Sequence, residues 1–176
     1  MELRPALQIQ TILKAMTDVV LPAVDPDNKL AQEQSRLVVG MLHLLAQRLP
    51  LMYRYDRDEL ARFLALADTL QNQARDLPGA RDALHALTNA VESGEDVLDR
   101  ARAEPGELEA ANFELREKVG ALLGKIYDGA DMTQLTHISK TVTAHAKEQL
   151  LRERSWLIMM GLEADPKAIP AIETLI

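Results

Sequence analysis

Apolar residues recur every three or four positions along nearly the whole chain, and no stretch of strand length alternates with period two. At 100° per residue that spacing gathers apolar side chains on one face of a helix, whereas a half-buried strand needs alternation. Pro, Gly and Asp punctuate the pattern at intervals, so the expected fold class is all-α. Aromatic residues make up 3% of a chain that is 47% apolar, which leaves Leu, Val, Ile, Ala and Met to build the core, as in helical bundles. A length of 176 residues is enough for one such core without disulfides or metal, and a single domain over 1–176 is the default.

The first helix is expected from Pro5 to about Leu21, with Ile9, Ile12, Leu13, Met16, Val19 and Val20 on one side. After a Pro- and Asp-rich loop, Asp27 or Asn28 caps a second helix to about Leu49. Its main stripe is Leu30, Leu37, Val38, Met41, Leu44 and Leu45, and a second strip is Val39, Leu42 and Ala46, so packing on two sides is predicted. Leu49-Pro50 stops that helix, and Asp56-Arg57-Asp58-Glu59 reads as a capping-box start for a third, carrying Leu60, Phe63, Leu64, Ala67, Leu70 and Ala74. A fourth runs from Ala80 to about Ala103, with Ser93-Gly94 expected to kink or split it. The fifth sets Leu108, Ala111, Leu115, Val119, Leu122 and Ile126 on a tight face. Asp131 and Gln134 box a sixth that reaches about Leu162. Short connections between these six imply antiparallel neighbours, hence an up-and-down bundle with one or two flanking helices.

Several function classes are disfavoured by composition. A net charge of −7 works against nucleic acid and anionic lipid, and the apolar runs Leu37 to Leu45 and Trp156 to Leu162 fall short of the ~20 residues of a membrane span. The chain contains no cysteine and its first residues lack a basic-then-apolar layout, so a cytoplasmic protein is expected. No cofactor is implied. Gly120-Ala121-Leu122-Leu123-Gly124-Lys125 is one residue short of a phosphate loop and lies in a helix; its glycines are better explained by close approach of another helix. His145 and Glu148 stand three apart, but a two-metal bundle needs further inward carboxylates, and no metal site is expected. His43, His85 and His137 fall off their stripes and read as exposed.

Three constellations remain. Tyr53-Arg54-Tyr55-Asp56-Arg57 combines tyrosines, arginines and an incoming helix N-terminus, so Tyr53, Arg54 and Arg57, with Arg152 and Trp156, form a candidate site for an anionic or acyl small molecule. From Trp156 to Leu162 the helix is apolar all round, and Trp156, Leu157, Met159 and Met160 are a candidate homodimer interface or core segment. Glu153 projects onto the apolar stripe of its helix beside Gln149, and Arg48 is its candidate partner in a buried ion pair.

The stretch from Leu7 to Leu49, with Val20-Leu21-Pro22-Ala23, an Asp-rich turn, Arg36-Leu37-Val38 and Leu44-Leu45, resembles the start of a small helical bacterial family of unknown function. That family lends no activity and no functional residue. The sequence alone therefore points to a non-catalytic cytoplasmic helical interaction or accessory protein, self-associating or bound to another helical protein. A small-molecule binding bundle is the alternative, and a metal-dependent or hydrolytic enzyme comes third.

Overall fold

A computed structural model describes residues 4–100, 102–161 and 163–176, with the side chain of Met159 outside the described part. The protein is all-α: seven α-helices and no strand occur among the described residues, namely α1 (Pro5–Ala15), α2 (Leu21–Ala23), α3 (Lys29–Arg48), α4 (Met52–Ala74), α5 (Arg81–Asp99), α6 (Pro105–Gly129) and α7 (Met132–Leu157). The seventh arises because a π-helical stretch, Met16–Val20, divides the first expected helix. There the Leu21 N–H reaches back five residues to Met16 O. The wider turn accommodates Pro22, whose ring would meet the Asp18 carbonyl in a regular α-helix. Two caps fall where the sequence places them. Asn28 Oδ1 accepts from Ala31 N, and Asp131 Oδ1 accepts from Thr133 N and Gln134 N while Gln134 Oε1 accepts from Asp131 N.

The described residues divide into two compact units. One spans Tyr53–Glu153 with Thr174–Ile176 and holds most of the core. Leu60 and Leu70 of α4, Leu87 of α5, and Leu108, Leu115, Leu122 and Ile126 of α6 are fully buried there. All six residues of the expected α6 stripe are buried, as are all six of the α4 stripe. On α7 the inward seam is Ile138, Val142, His145, Gln149 and Arg152, apolar in its first half and polar in its second. Ala146 and Leu150 of the same helix are exposed.

Gly94 neither kinks nor splits α5, which is continuous from Arg81 to Asp99. It is buried, and a Cβ there would stand 3.2 Å from Leu64 Cδ2 and 3.4 Å from Leu115 Cδ1, so the absent side chain lets α5 settle onto leucines of α4 and α6. Gly120 and Gly124, assigned that role from sequence, are exposed with no neighbour within 4 Å of a built Cβ. They lie off the buried α6 stripe, where spacing alone does not distinguish a contact face from a solvent face.

The other unit joins the N-terminal stretch up to Met52 with Arg154–Glu173. Leu13, Leu44 and Ile169 are its buried apolar side chains among the described residues. α1 and α2 pack on α3, and the α3 residues Val39, Leu42 and Ala46 of the weaker strip are half-buried. The stronger stripe is the exposed one: Leu30, Leu37, Val38, Met41 and Leu45 are between 46% and 68% exposed. The expected packing on both sides of α3 is thus realised on the weaker side, with Leu44 alone of the main stripe buried. After Leu157 the chain continues as a 3₁₀ turn, Ile158–Met160, and stops at left-handed Gly161 (φ 68°), short of the expected end at Leu162, which lies outside the described residues.

The two kinds of glycine give opposite expectations. Gly94→Val forces bulk against Leu64 and Leu115 and lowers stability by about 2 kcal/mol. Gly120→Ala gains helix propensity in open space and raises it by about 1 kcal/mol. Urea unfolding of the two variants beside the wild type measures both.

Candidate functional site

Helix α4 starts at Met52, so Tyr53-Arg54-Tyr55-Asp56-Arg57 forms its opening turns and is no loop. Leu51 N–H bonds Arg48 O across the intervening turn, and the helix resumes as soon as Pro50 is passed. Asp56 and Asp58 consequently lie within the helix and are half-buried, and no helix N-terminus is presented beside Arg57. Tyr53 is exposed, Arg54 donates to the main-chain oxygen of Ile176 at 2.6 Å, and Arg57 donates to Leu98 O at 2.6 Å. Arg152 reaches Asp58, while Trp156 belongs to the unit that contains α3.

What α4, α6 and α7 bring together instead is a buried polar cluster. Glu59 is 6% exposed, lying on the α4 face it shares with Phe63, Leu66 and Leu70. Its carboxylate accepts a short hydrogen bond from Arg116 Nη2 of α6 and another from Gln149 Nε2 of α7 at 3.0 Å. The same Gln149 nitrogen also lies 3.1 Å from Tyr55 Oη and 3.0 Å from Glu153 Oε1. An amide has two hydrogens for these three acceptors, so they share them. Alongside, Asp58 Oδ2 accepts from Arg62 Nε at 2.7 Å and Arg152 Nε at 2.8 Å. The Arg116 guanidinium lies 5.2 Å over the Phe63 ring and 5.9 Å over Phe113, which covers its apolar faces.

The cluster perturbs the groups around it. Burial, then the charges of Glu59 and Glu109, push the Asp56 carboxyl up to about 6 from 3.8. Burial, then Glu59, raises the Tyr55 hydroxyl. His145 packs on Phe63 with ring centroids 4.8 Å apart, and burial, followed by the Arg62 charge, holds its imidazole below 6.5. A neutral ring fits that position, because Arg62, Arg152 and Arg116 all oppose a further positive charge, with Glu148 pulling the other way. Glu148 is exposed, and no group of three or more metal-ligating side chains occurs among the described residues.

Both inward carboxylates are neutralised by arginines from other turns or helices, so the cluster fastens α7 to α4 and α6. Gln149 and Glu153 were legible from projection onto the α7 stripe, but Glu153 is exposed and joins Gln149 at the rim. Arg48, its candidate partner, places its guanidinium 5.4 Å over the Trp156 ring. Glu59 and Arg116 were missed, although Glu59 projects within one helical face of Phe63 and Leu66 and carried that signal.

In the unit containing α3, Gln47, Arg48, Leu51, Ser155, Trp156, Ile172 and Glu173 line a pocket of about 330 Å³. Ser155 is buried, its hydroxyl donating to Pro170 O at 2.7 Å. Trp156 is half-buried, Leu157 and Met160 are exposed, and Met159 lies outside the described side chains. No helix among the described residues is long and apolar enough to cross a membrane. No family model, curated protein or solved structure matches the chain.

Asp56 and His145 give opposite pH dependences. Native Asp56 keeps its proton to about pH 6 while the unfolded chain releases it near 3.8, so its contribution to stability falls as pH rises through that window. Native His145 stays neutral below 6.5, where the unfolded chain takes up a proton, so its contribution falls as pH drops below 6.5. Relative to wild type, Asp56→Asn is expected to gain stability as pH rises from about 4 to 6 and to hold that gain at neutral pH. His145→Gln is expected to gain on the acid side of 6.5. Unfolding midpoints from pH 4 to 8 measure both difference curves.

Proposed function

We propose that the chain is a cytoplasmic, non-catalytic interaction protein whose working surface is the main apolar stripe of α3. The observation that supports this reading is the inversion of burial on that helix. The weaker strip faces the fold, and the stronger one, Leu30, Leu37, Val38, Met41 and Leu45, is left to solvent. A contiguous apolar face of this kind is a costly thing for a chain to display unless it is covered in use. The internal pairing of Glu59 and Asp58 supports the same reading from the other side, since it commits the inward carboxylates to holding helices together.

The pocket beside Trp156 favours a second reading, a binding site for an anionic acyl molecule, with Arg48 as the cation and Leu51 and Ile172 as apolar wall. Trp156 is the sole tryptophan, so its fluorescence reports directly on occupancy by a probe such as octanoate. A saturable change would favour this reading.

The interaction reading is tested by placing a photo-crosslinking amino acid at Met41 and, as control, at exposed Glu95 of α5. Irradiation in cells that produce the protein is expected to give a discrete protein adduct from position 41 and none from 95. A folded protein that forms no adduct at 41 contradicts the reading.

A further inference from the structure

With exposed Gln34 added, the positions of the α3 stripe are spaced symmetrically about its own midpoint. Taken at 100° per residue, Leu30 and Leu45, Gln34 and Met41, and Leu37 and Val38 form pairs equally spaced along the chain from a point between 37 and 38. All six positions fall within a sector about 100° wide, and each pair straddles its centre line. A second α3 laid antiparallel across the first therefore brings Leu30 against Leu45 of the partner subunit, Met41 against the partner subunit's Gln34, and Leu37 against the partner subunit's Val38. In that single register leucine meets leucine or valine at four of the six contacts and methionine meets glutamine at the other two, so the stripe is largely apolar against itself.

We propose that the occupant of this face is a second copy of the chain, paired antiparallel through α3 about a dyad between Leu37 and Val38. The inference rests on the interaction-protein reading above and names its partner. Area is sufficient. The five exposed apolar residues present about 500 Å², close to the apolar share of the about 800 Å² that each partner contributes to a standard interface. Charge also permits it. The six positions carry no ionisable residue; Arg48, in the same sector at the end of α3, has its guanidinium over the Trp156 ring, and the unit that carries the stripe has seven Lys and Arg against eight Asp and Glu. The rest of the chain has thirteen against nineteen, so the unit that bears the stripe is itself close to neutral and two copies of it repel little.

Sedimentation equilibrium of the wild type is expected to show a monomer–dimer system. Leu37→Glu with Met41→Glu should weaken association by about 100-fold or more, because each charge is carried into a dry apolar contact. Helical circular dichroism of that variant should match the wild type, since both side chains are already exposed in one copy. Gln34→Leu provides a second test that does not risk the fold; it replaces the one polar residue of the stripe and should tighten the dimer several-fold. A wild type that stays monomeric at its highest soluble concentration overturns the proposal, as does a dimer indifferent to both changes. The Met41 crosslink separates the levels: an adduct with a different protein, beside a monomeric wild type, removes the self-pairing and leaves the interaction reading standing, whereas no adduct at all removes both.

Discussion

Burial of leucine between α4, α5 and α6 is the interaction on which the rest of this protein depends. Leu60, Leu70, Leu87, Leu108, Leu115 and Leu122 are fully withdrawn from water, each worth about 2 kcal/mol of transfer free energy before ordering costs. With so few aromatic rings available, close approach of helices does what large side chains do elsewhere. Gly94 is the clearest instance, since it admits Leu64 and Leu115 to a space that any Cβ would contest. Gly129 likewise lets the end of α6 approach the turn between α4 and α5, where a Cβ would stand 3.1 Å from Pro78 O.

The polar cluster follows from the same geometry. The inward seam of α7 turns from Ile138 and Val142 to His145, Gln149 and Arg152, and α4 meets it with Glu59 and Asp58. Burying Glu59 is tolerable because Arg116 and Gln149 both donate to it, and those bonds hold only when α7 lies in one register against α4. The cluster therefore acts as a register device along a seam whose apolar half would tolerate sliding. The raised Asp56 carboxyl and the neutral His145 follow first from burial and then from like charges beside each, Glu59 and Glu109 for the one and Arg62 for the other.

Where one face of a helix had a single possible destination, the sequence was enough to find it. The α4 and α6 stripes, the Asn28 cap and the Asp131–Gln134 box all lie as their spacing implies. Prediction failed where two local outcomes were close in free energy. Tyr53 to Arg57 carries both a capping signal at Asp56 and adequate helix formers before it, and the helix takes the earlier start. Ser93-Gly94 carries a breaker signal that packing overrides. Glu59 was read as part of a cap because its local role was visible, whereas its partners Arg116 and Gln149 come from distant stretches of chain. On α3 the periodicity correctly identified two apolar strips but ranked them by strength alone, and strength does not say which one a chain buries within itself.

The proposed pairing rests on that last difference, an apolar stripe stronger than the one used for folding and left exposed. Because the chain has no cysteine, a single introduced thiol reports on geometry without background. In the antiparallel pair two copies of residue 37 lie about 1.5 Å apart along the helix axis, whereas two copies of residue 30 are separated by about 22 Å, beyond any disulfide. Under mild oxidation Leu37→Cys is predicted to run as a disulfide-linked dimer on non-reducing gels and Leu30→Cys as a monomer. Equal crosslinking of the two, or none from Leu37→Cys, would contradict the account.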